Sequence, residues 1–273
     1  MSKEVFFNIN TMLKNLFESL DQECQYKIPN LIFVFSKTVP CQMKGHASLL
    51  YLVLLKVMRK ILENKCNTEI VIYVDAPKEF LYKEKVTFTI ANTPVKSEEV
   101  LLEIKSHVAS DLLTMNATLV ASEDHGGSIV LTSELSNAEL GCRRHYRLPS
   151  KDMLDKNILL VIEGNTLALS LTKMFKYFPM NVDICIHSYK EKYNLSDYDL
   201  IVIEENMFDF QLRERIVKAQ KLSALKFVLI GKEDVYEEKD TSRLHTVYLT
   251  KPVTQESIFK LLITLFDDLP KLG

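Results

Sequence analysis

The sequence predicts an α/β protein in two halves, an α+β layer followed by a doubly wound domain with a five-stranded parallel sheet. Three observations predict it. In the C-terminal half, five short and nearly continuous apolar runs recur, with helical segments between them. Runs of that kind belong to strands buried on both faces of a parallel sheet. In the N-terminal half, strand pairs joined by short polar stretches alternate with long amphipathic helices, the pattern of helices on one face of a mixed sheet. Hydrophobic residues make up 47% and charged residues 26% of the 273 residues, values of a folded chain rather than a disordered one.

The N-terminal elements follow in order. Phe7 to Gln22 reads as a helix, with Met12, Leu13, Leu16, Phe17 and Leu20 apolar. A strand is expected at Leu31–Phe35 (LIFVF), then a strongly apolar helix from Leu49 to Leu62. Ile70–Val74 (IVIYV) and Val86–Ile90 (VTFTI) read as a hairpin, and Val100 to Thr114 as a helix. Ala117–Ala121 (ATLVA) and Ser128–Thr132 (SIVLT) form a second hairpin across SEDHGG. Another register is open, in which GGSIVLTSEL comes one hairpin earlier and the last strand is His145–Leu148 (HYRL); the first is preferred.

Ser133 to Lys156 is polar and charged and reads as a linker carrying one short strand. The expected division is residues 1–133, a linker at 134–155, and 156–273. The C-terminal strands are Ile158–Ile162 (ILLVI), Val182–Ile186 (VDICI), Leu200–Ile203 (LIVI), Phe227–Ile230 (FVLI) and Thr246–Leu249 (TVYL). Leu167, Leu171, Met174 and Phe175 share one helical face, and helices are also expected at Gln211–Leu222 and Gln255–Phe266. Five such units indicate a flavodoxin-like domain.

Composition excludes several functions. The formal net charge is −2, against a nucleic-acid partner. The basic cluster RRHYR at 143–147 is thin beside that balance and reads as part of the linker. Only 7 glycines occur, where average usage of about 7% would give roughly nineteen, so glycine-rich phosphate loops are not expected. The cysteines (Cys24, Cys41, Cys66, Cys142, Cys185) are odd in number and form no CxxC pair, which fits a reduced, cytoplasmic setting. His46, His107, His125, His145, His187 and His245 form no two-His metal motif, and no metal is expected. No apolar run has the length of a membrane span or signal peptide.

The C-terminal half resembles the receiver domain of bacterial response regulators, through KNILLVIEGN at 156–165, YDLIVIEENM at 198–207 and YLTKPV at 248–253. Receivers carry an acidic pair after the first strand, a phosphoacceptor Asp after the third, a hydroxyl after the fourth and a Lys after the fifth. On this resemblance the acidic pair falls on Ile162 and Glu163, the phosphoacceptor on Glu204 and the hydroxyl on Gly231. Lys251 and Pro252 remain, with the aromatic Tyr248 at the switch position. Phosphoryl transfer to a carboxylate needs Mg²⁺ and groups that take up charge on the transferred oxygens. Ile162 deletes one carboxylate, Glu204 moves another outward and Gly231 removes a donor, so ordinary phosphorylation is not expected. Two readings of Glu204 stand: an ion pair with Lys251, or a solvated acid at a strand end.

The N-terminal half looks like the ATP-binding domain of sensor histidine kinases, of the Bergerat type. The resemblance runs from FFNIN at 6–10 through VPCQMKGHASLLYLVLLKVMRKIL at 39–62 and VTFTIANTPV at 86–95 to the hairpin at 117–132. It implies a Bergerat-type sandwich whose family acid falls on His46 and whose two metal-facing Asn fall on Lys56 and Lys60. The adenine-reading Asp falls on Asn92 and the first Gly of its turn on Pro94. Lys60 puts a cation where a metal belongs. Pro94 fixes φ and removes an N–H where the chain should bend toward a phosphate. The two lysines can also be read as the polar face of a buried helix. The family's phosphoacceptor His hairpin is not found ahead of Phe6.

Both resemblances therefore imply a degenerate kinase ATPase domain joined to a degenerate receiver. The expected function is two-component signalling by contact with a kinase, a receiver or a second copy. Tyr248, Lys251, Pro252 and the helix from Gln255 would form the contact face, and no cofactor is expected. The alternative is a nucleotide sensor or residual kinase using Lys56, Lys60 and Asn92.

Overall fold

The computed structural model describes residues 3–23, 31–36, 38–63, 69–78, 82–91, 93, 98–123, 127–138, 153–186, 193–231, 244 and 246–266, with backbone alone at 98–100. The chain divides into two compact units, Met1–His145 and Tyr146–Gly273.

The first unit runs β1 (Val5–Asn8), α1 (Ile9–Glu23), β2 (Leu31–Phe35), β3 (Gln42–Gly45), α2 (Ala47–Glu63), β4 (Ile70–Asp75), β5 (Lys83–Ala91), α3 (Glu98–Thr114), β6 (Thr118–Ser122) and β7 (Ser128–Asn137). Its seven strands lie in the order β1-β3-β7-β5-β4-β2, with β6 also paired to β7. Among the described residues β2 and β4 are the one parallel pair, and the other pairs are antiparallel. Both expected hairpins are present, as β4–β5 and β6–β7. Val86, Phe88 and Ile90 on β5 and Ile129, Leu131, Ser133 and Leu135 on β7 are buried, while the residues between them are only partly so. That period of two marks a sheet with one face on the core.

Helices cover that face because their apolar residues recur at helical spacing. In α2, Leu50, Val53, Leu54, Val57, Met58 and Ile61 are buried, and in α1, Ile9, Met12, Leu13, Leu16, Phe17 and Leu20. These join Leu101, Ile104, Val108 and Leu112 of α3 and the inward sheet residues in one core. Asn8 fixes the start of α1, its side-chain oxygen accepting from Asn10 N–H at 2.9 Å and Thr11 N–H at 3.1 Å. α1 therefore begins two residues later than the apolar pattern suggests, because β1 takes Phe7 and Asn8 into the sheet opposite Met43 and Gln42. α3 ends where Asn116 turns to φ 49° and Ala117 N–H bonds the Leu112 carbonyl at 2.8 Å.

One boundary differs from the sequence reading. β7 continues to Asn137, so residues 134–137 belong to the sheet and not to the expected linker. Glu134, Leu135 and Ser136 pair with Lys85, Glu84 and Lys83. Leu135 is buried, and the Lys83 ammonium lies 3.3 Å from the Glu134 carboxylate. Hydrogen bonding from Asn116, then from Lys83, holds the Glu134 carboxyl below its ordinary value. The alternative strand at His145–Leu148 lies outside the described residues.

The second unit runs β8 (Asn157–Ile162), α4 (Asn165–Lys176), β9 (Asn181–Ile186), β10 (Leu200–Glu204), α5 (Phe210–Leu222), β11 (Lys226–Gly231), β12 (Thr246–Thr250) and α6 (Gln255–Phe266). All five strands are parallel, in the order β12-β11-β10-β8-β9. α5 packs Leu212, Ile216 and Ala219 against Leu159, Val161, Ile201, Ile203, Phe227 and Leu229. The alternate residues Ile158, Leu160, Val202, Val228 and Ile230 are equally buried, so the opposite face is covered too. Continuous apolar strands are the consequence. Between β9 and β10 the expected helical segment is, among the described residues, a single 3₁₀ turn at Leu195–Asp197, capped by Asn194. The strand order reverses between β8 and β10, which opens a crevice at the carboxyl ends of the strands.

Candidate functional site

That crevice gathers the residues singled out at the end of each strand. Glu204 is the last residue of β10 and is fully buried, not solvated. Lys251 Nζ donates to Glu204 Oε1 at 2.7 Å, with 15% of the lysine side chain exposed and 1% of the glutamate's. The Glu163 backbone N–H donates to Glu204 Oε2 at 3.1 Å. Both carboxylate oxygens are thus engaged, by charge-assisted bonds of the stronger kind. The Glu163 side chain turns to Asn206, whose Nδ2 donates to Glu163 Oε2 at 3.2 Å.

Gly231 ends β11, and its carbonyl accepts from Lys251 N–H at 3.0 Å. Lys251 and Pro252 are joined by a cis peptide bond. Tyr248 lies in β12 opposite Leu229, half-buried against the core beneath α5. Glu163, Glu204, Gly231 and Lys251, far apart in sequence, are therefore placed at or just after neighbouring strand ends, with Tyr248 inside β12. The sequence reading missed two others. Asn206 holds the Glu163 carboxylate, and Glu205 lies where a side chain on residue 231 would be. The only signal for them is the EN pair directly after the third strand of this half.

The donor set does not fit Mg²⁺. That ion takes six oxygens in near-octahedral array. Here an ammonium caps one oxygen of Glu204, a backbone N–H caps the other, and Ile162 offers none. No group of three or more His, Cys, Asp or Glu able to hold a metal occurs among the described residues.

In the first unit, Lys56 and Lys60 project from α2 toward α3. Lys56 Nζ donates to Asp111 Oδ2 at 3.1 Å and to the His107 carbonyl at 3.2 Å. Lys60 Nζ lies 2.7 Å from Glu103 and 3.1 Å from Glu63. Those carboxylates, Glu103 first, hold the Lys60 ammonium above its ordinary pKa. The cavity beside them, lined by Lys56, Arg59, Lys60, Glu63, Glu103 and His107, measures 290 Å³. Small-molecule sites span roughly 300–1,000 Å³. Two ammonium groups that are tied to carboxylates offer a metal ion no ligands, so these residues do not fit a Mg²⁺-nucleotide. Asn92 and Pro94 lie outside the described residues; Thr93 between them is buried, with its N–H bonded to the Gly127 carbonyl at 3.2 Å.

Comparison with solved structures agrees with this architecture. Over 99% of its length the chain is similar to full-length ShkA in complex with AMPPNP, at TM-score 0.67 and 10% sequence identity. It spans 58% of that chain. Parts of it are similar to the catalytic domain of histidine kinase ThkA (11% identity, TM-score 0.38, 49% of this chain and 95% of that one). It is also similar, over 41% of its length and 99% of that chain, to the chemotaxis response regulator CheY4 of Vibrio cholerae (16% identity, TM-score 0.34). No family model and no curated protein matches the sequence. At 10% identity the likeness to full-length ShkA, which extends over nearly the whole chain, is one of fold. The fold class is the expected one: a mixed, mostly antiparallel sandwich and an all-parallel five-stranded α/β domain.

Proposed function

We propose that the chain is a non-catalytic signalling protein of the two-component type, acting by protein–protein contact. One observation carries the reading: the carboxylate at the phosphoacceptor position is buried, and Lys251 and the Glu163 N–H occupy its two oxygens. A nucleophile so held is neither free to attack nor placed to share a metal. The lysines of the first unit support the same reading, since their carboxylate partners Asp111, Glu103 and Glu63 take the charge a phosphate would need.

What remains is scaffold and surface. The partner we infer is a two-component kinase, a receiver or a second copy of this chain, met at the β12–α6 side of the second unit, where Tyr248, Lys251 and Pro252 lie. No helix among the described residues is long and apolar enough to cross a membrane. The alternative, a nucleotide sensor or residual kinase, makes a different prediction. Calorimetric titration of the full chain with ATP, with and without Mg²⁺, is expected to give no heat of binding up to millimolar nucleotide. Micromolar binding would replace the proposal with the sensor reading.

A further inference from the structure

The pocket at the ends of β10 and β11 has an occupant that the sequence reading did not assign. β10 and β11 are parallel, with Glu204 opposite Ile230, so the next residue of one strand end faces the next of the other. Those residues are Glu205 and Gly231. A Cβ built on Gly231 would collide with Glu205 Oε2 and would lie 3.1 Å from Glu205 Cδ and 3.5 Å from its Cβ. The Glu205 side chain therefore runs along Gly231 through its whole length. Its Oε2 is shut off from solvent.

The backbone holds it there. Glu205 opens the 3₁₀ turn Glu205–Met207, which closes with Phe208 N–H donating to the Glu205 carbonyl at 3.2 Å. On the other side, Gly231 is bonded through its carbonyl to Lys251 N–H, and Lys251 Nζ reaches Glu204. Glu204, Lys251, Gly231 and Glu205 thus form one connected ring across β10, β11 and the end of β12.

We propose that Glu205 is a built-in occupant of this pocket, whose carboxylate fills the volume left by the missing side chain of Gly231 and holds the three strand ends in one state. Glycine at 231 leaves room for the Glu205 side chain and does not serve backbone freedom. The atom a side chain would strike is the far end of a flexible glutamate, so a small side chain at 231 evicts the carboxylate into solvent with little strain elsewhere. The inference rests on the reading that this site carries no phosphoryl group, and the two fail separately. A phospho-adduct on the parent chain would remove that reading, whereas the exchange rates below bear on Glu205 alone.

The Lys251 amide, bonded to Gly231, reports opening of the ring. In the full chain, Glu205→Ala and Gly231→Ala are each expected to speed its hydrogen exchange by about tenfold, and the double variant by no more than either. Glu205→Gln, which keeps the volume, stays near the parent rate. Acetate, the severed carboxylate, slows exchange in Glu205→Ala, where the volume is vacant, and not in Gly231→Ala, where a methyl fills it. Additive effects, or a Gly231→Ala rate equal to the parent's, would overturn the proposal. If Glu205→Ala does not fold, the comparison of Gly231→Ala with Glu205→Gln decides it: a faster rate in the first and a parental rate in the second supports it, and equal rates overturn it.

Discussion

Lys251→Met is expected to destabilise the second unit by about 3–5 kcal/mol, because it strands a buried carboxylate without its cation. Glu204 is fully buried, and its Oε1 has Lys251 Nζ at 2.7 Å. Pairs at a protein surface are worth only about 0–1 kcal/mol, but their desolvation has little to lose. Here the charge cannot return to water without opening the end of the sheet. The loss is asymmetric: replacing both partners with apolar residues of similar volume removes the unpaired charge as well as the pair. Lys251→Met combined with Glu204→Leu is therefore expected to recover most of what Lys251→Met loses. Urea unfolding read through exchange of the β10 and β11 amides measures both. A loss below about 1 kcal/mol for Lys251→Met would mean that the pair behaves as a solvated one.

Phe88→Ala is expected to cost the first unit about 3–5 kcal/mol, the range for removing a fully buried aromatic side chain. Phe88 sits on β5 with Val74 of β4 on one side and Leu131 of β7 on the other, and it is 0% exposed. Its neighbours are held in sheet register, so the site cannot collapse to fill the void. The same exchange experiment reports where the loss falls. Amides of β4, β5 and β7 are expected to lose protection while those of β8 and β10 keep theirs, since each unit has its own core. Equal loss in both units would show that they unfold as one.

Much of this was legible because burial on two faces leaves a plain mark. ILLVI, LIVI and FVLI contain no polar interruption, and all three became central strands of the parallel sheet. The helix read at Leu49–Leu62 was visible for the same reason, with apolar residues at every position a buried stripe requires. β3 was not visible. Gln42–Gly45 (QMKG) is four residues long and half polar, and it becomes a strand only because β1 and the far end of β7 flank it. The extension of β7 through Glu134–Asn137 was hidden likewise, in residues whose polarity suits a linker as well as a half-exposed strand.

The candidate site divides in the same way. The receiver resemblance implied Glu163, Glu204, Gly231 and Lys251, each at or just after the end of a strand that the apolar runs mark. Contacts made across strands cannot be counted, and Glu205 was missed because only the parallel register sets it against Gly231. The carboxylates on α3 that tie Lys56 and Lys60 were missed for a related reason. Asp111 and Glu103 are ordinary surface acids in the sequence, and the approach of α3 to α2 alone makes them partners.

The proposed function turns on the buried Glu204 carboxylate, which Lys251 and the Glu163 N–H hold at the end of β10. Intact-mass analysis of the full chain after incubation with acetyl phosphate and Mg²⁺ tests it most directly. The expected result is a single unmodified mass at every time point; a phosphoryl adduct that maps to Glu204 would contradict it.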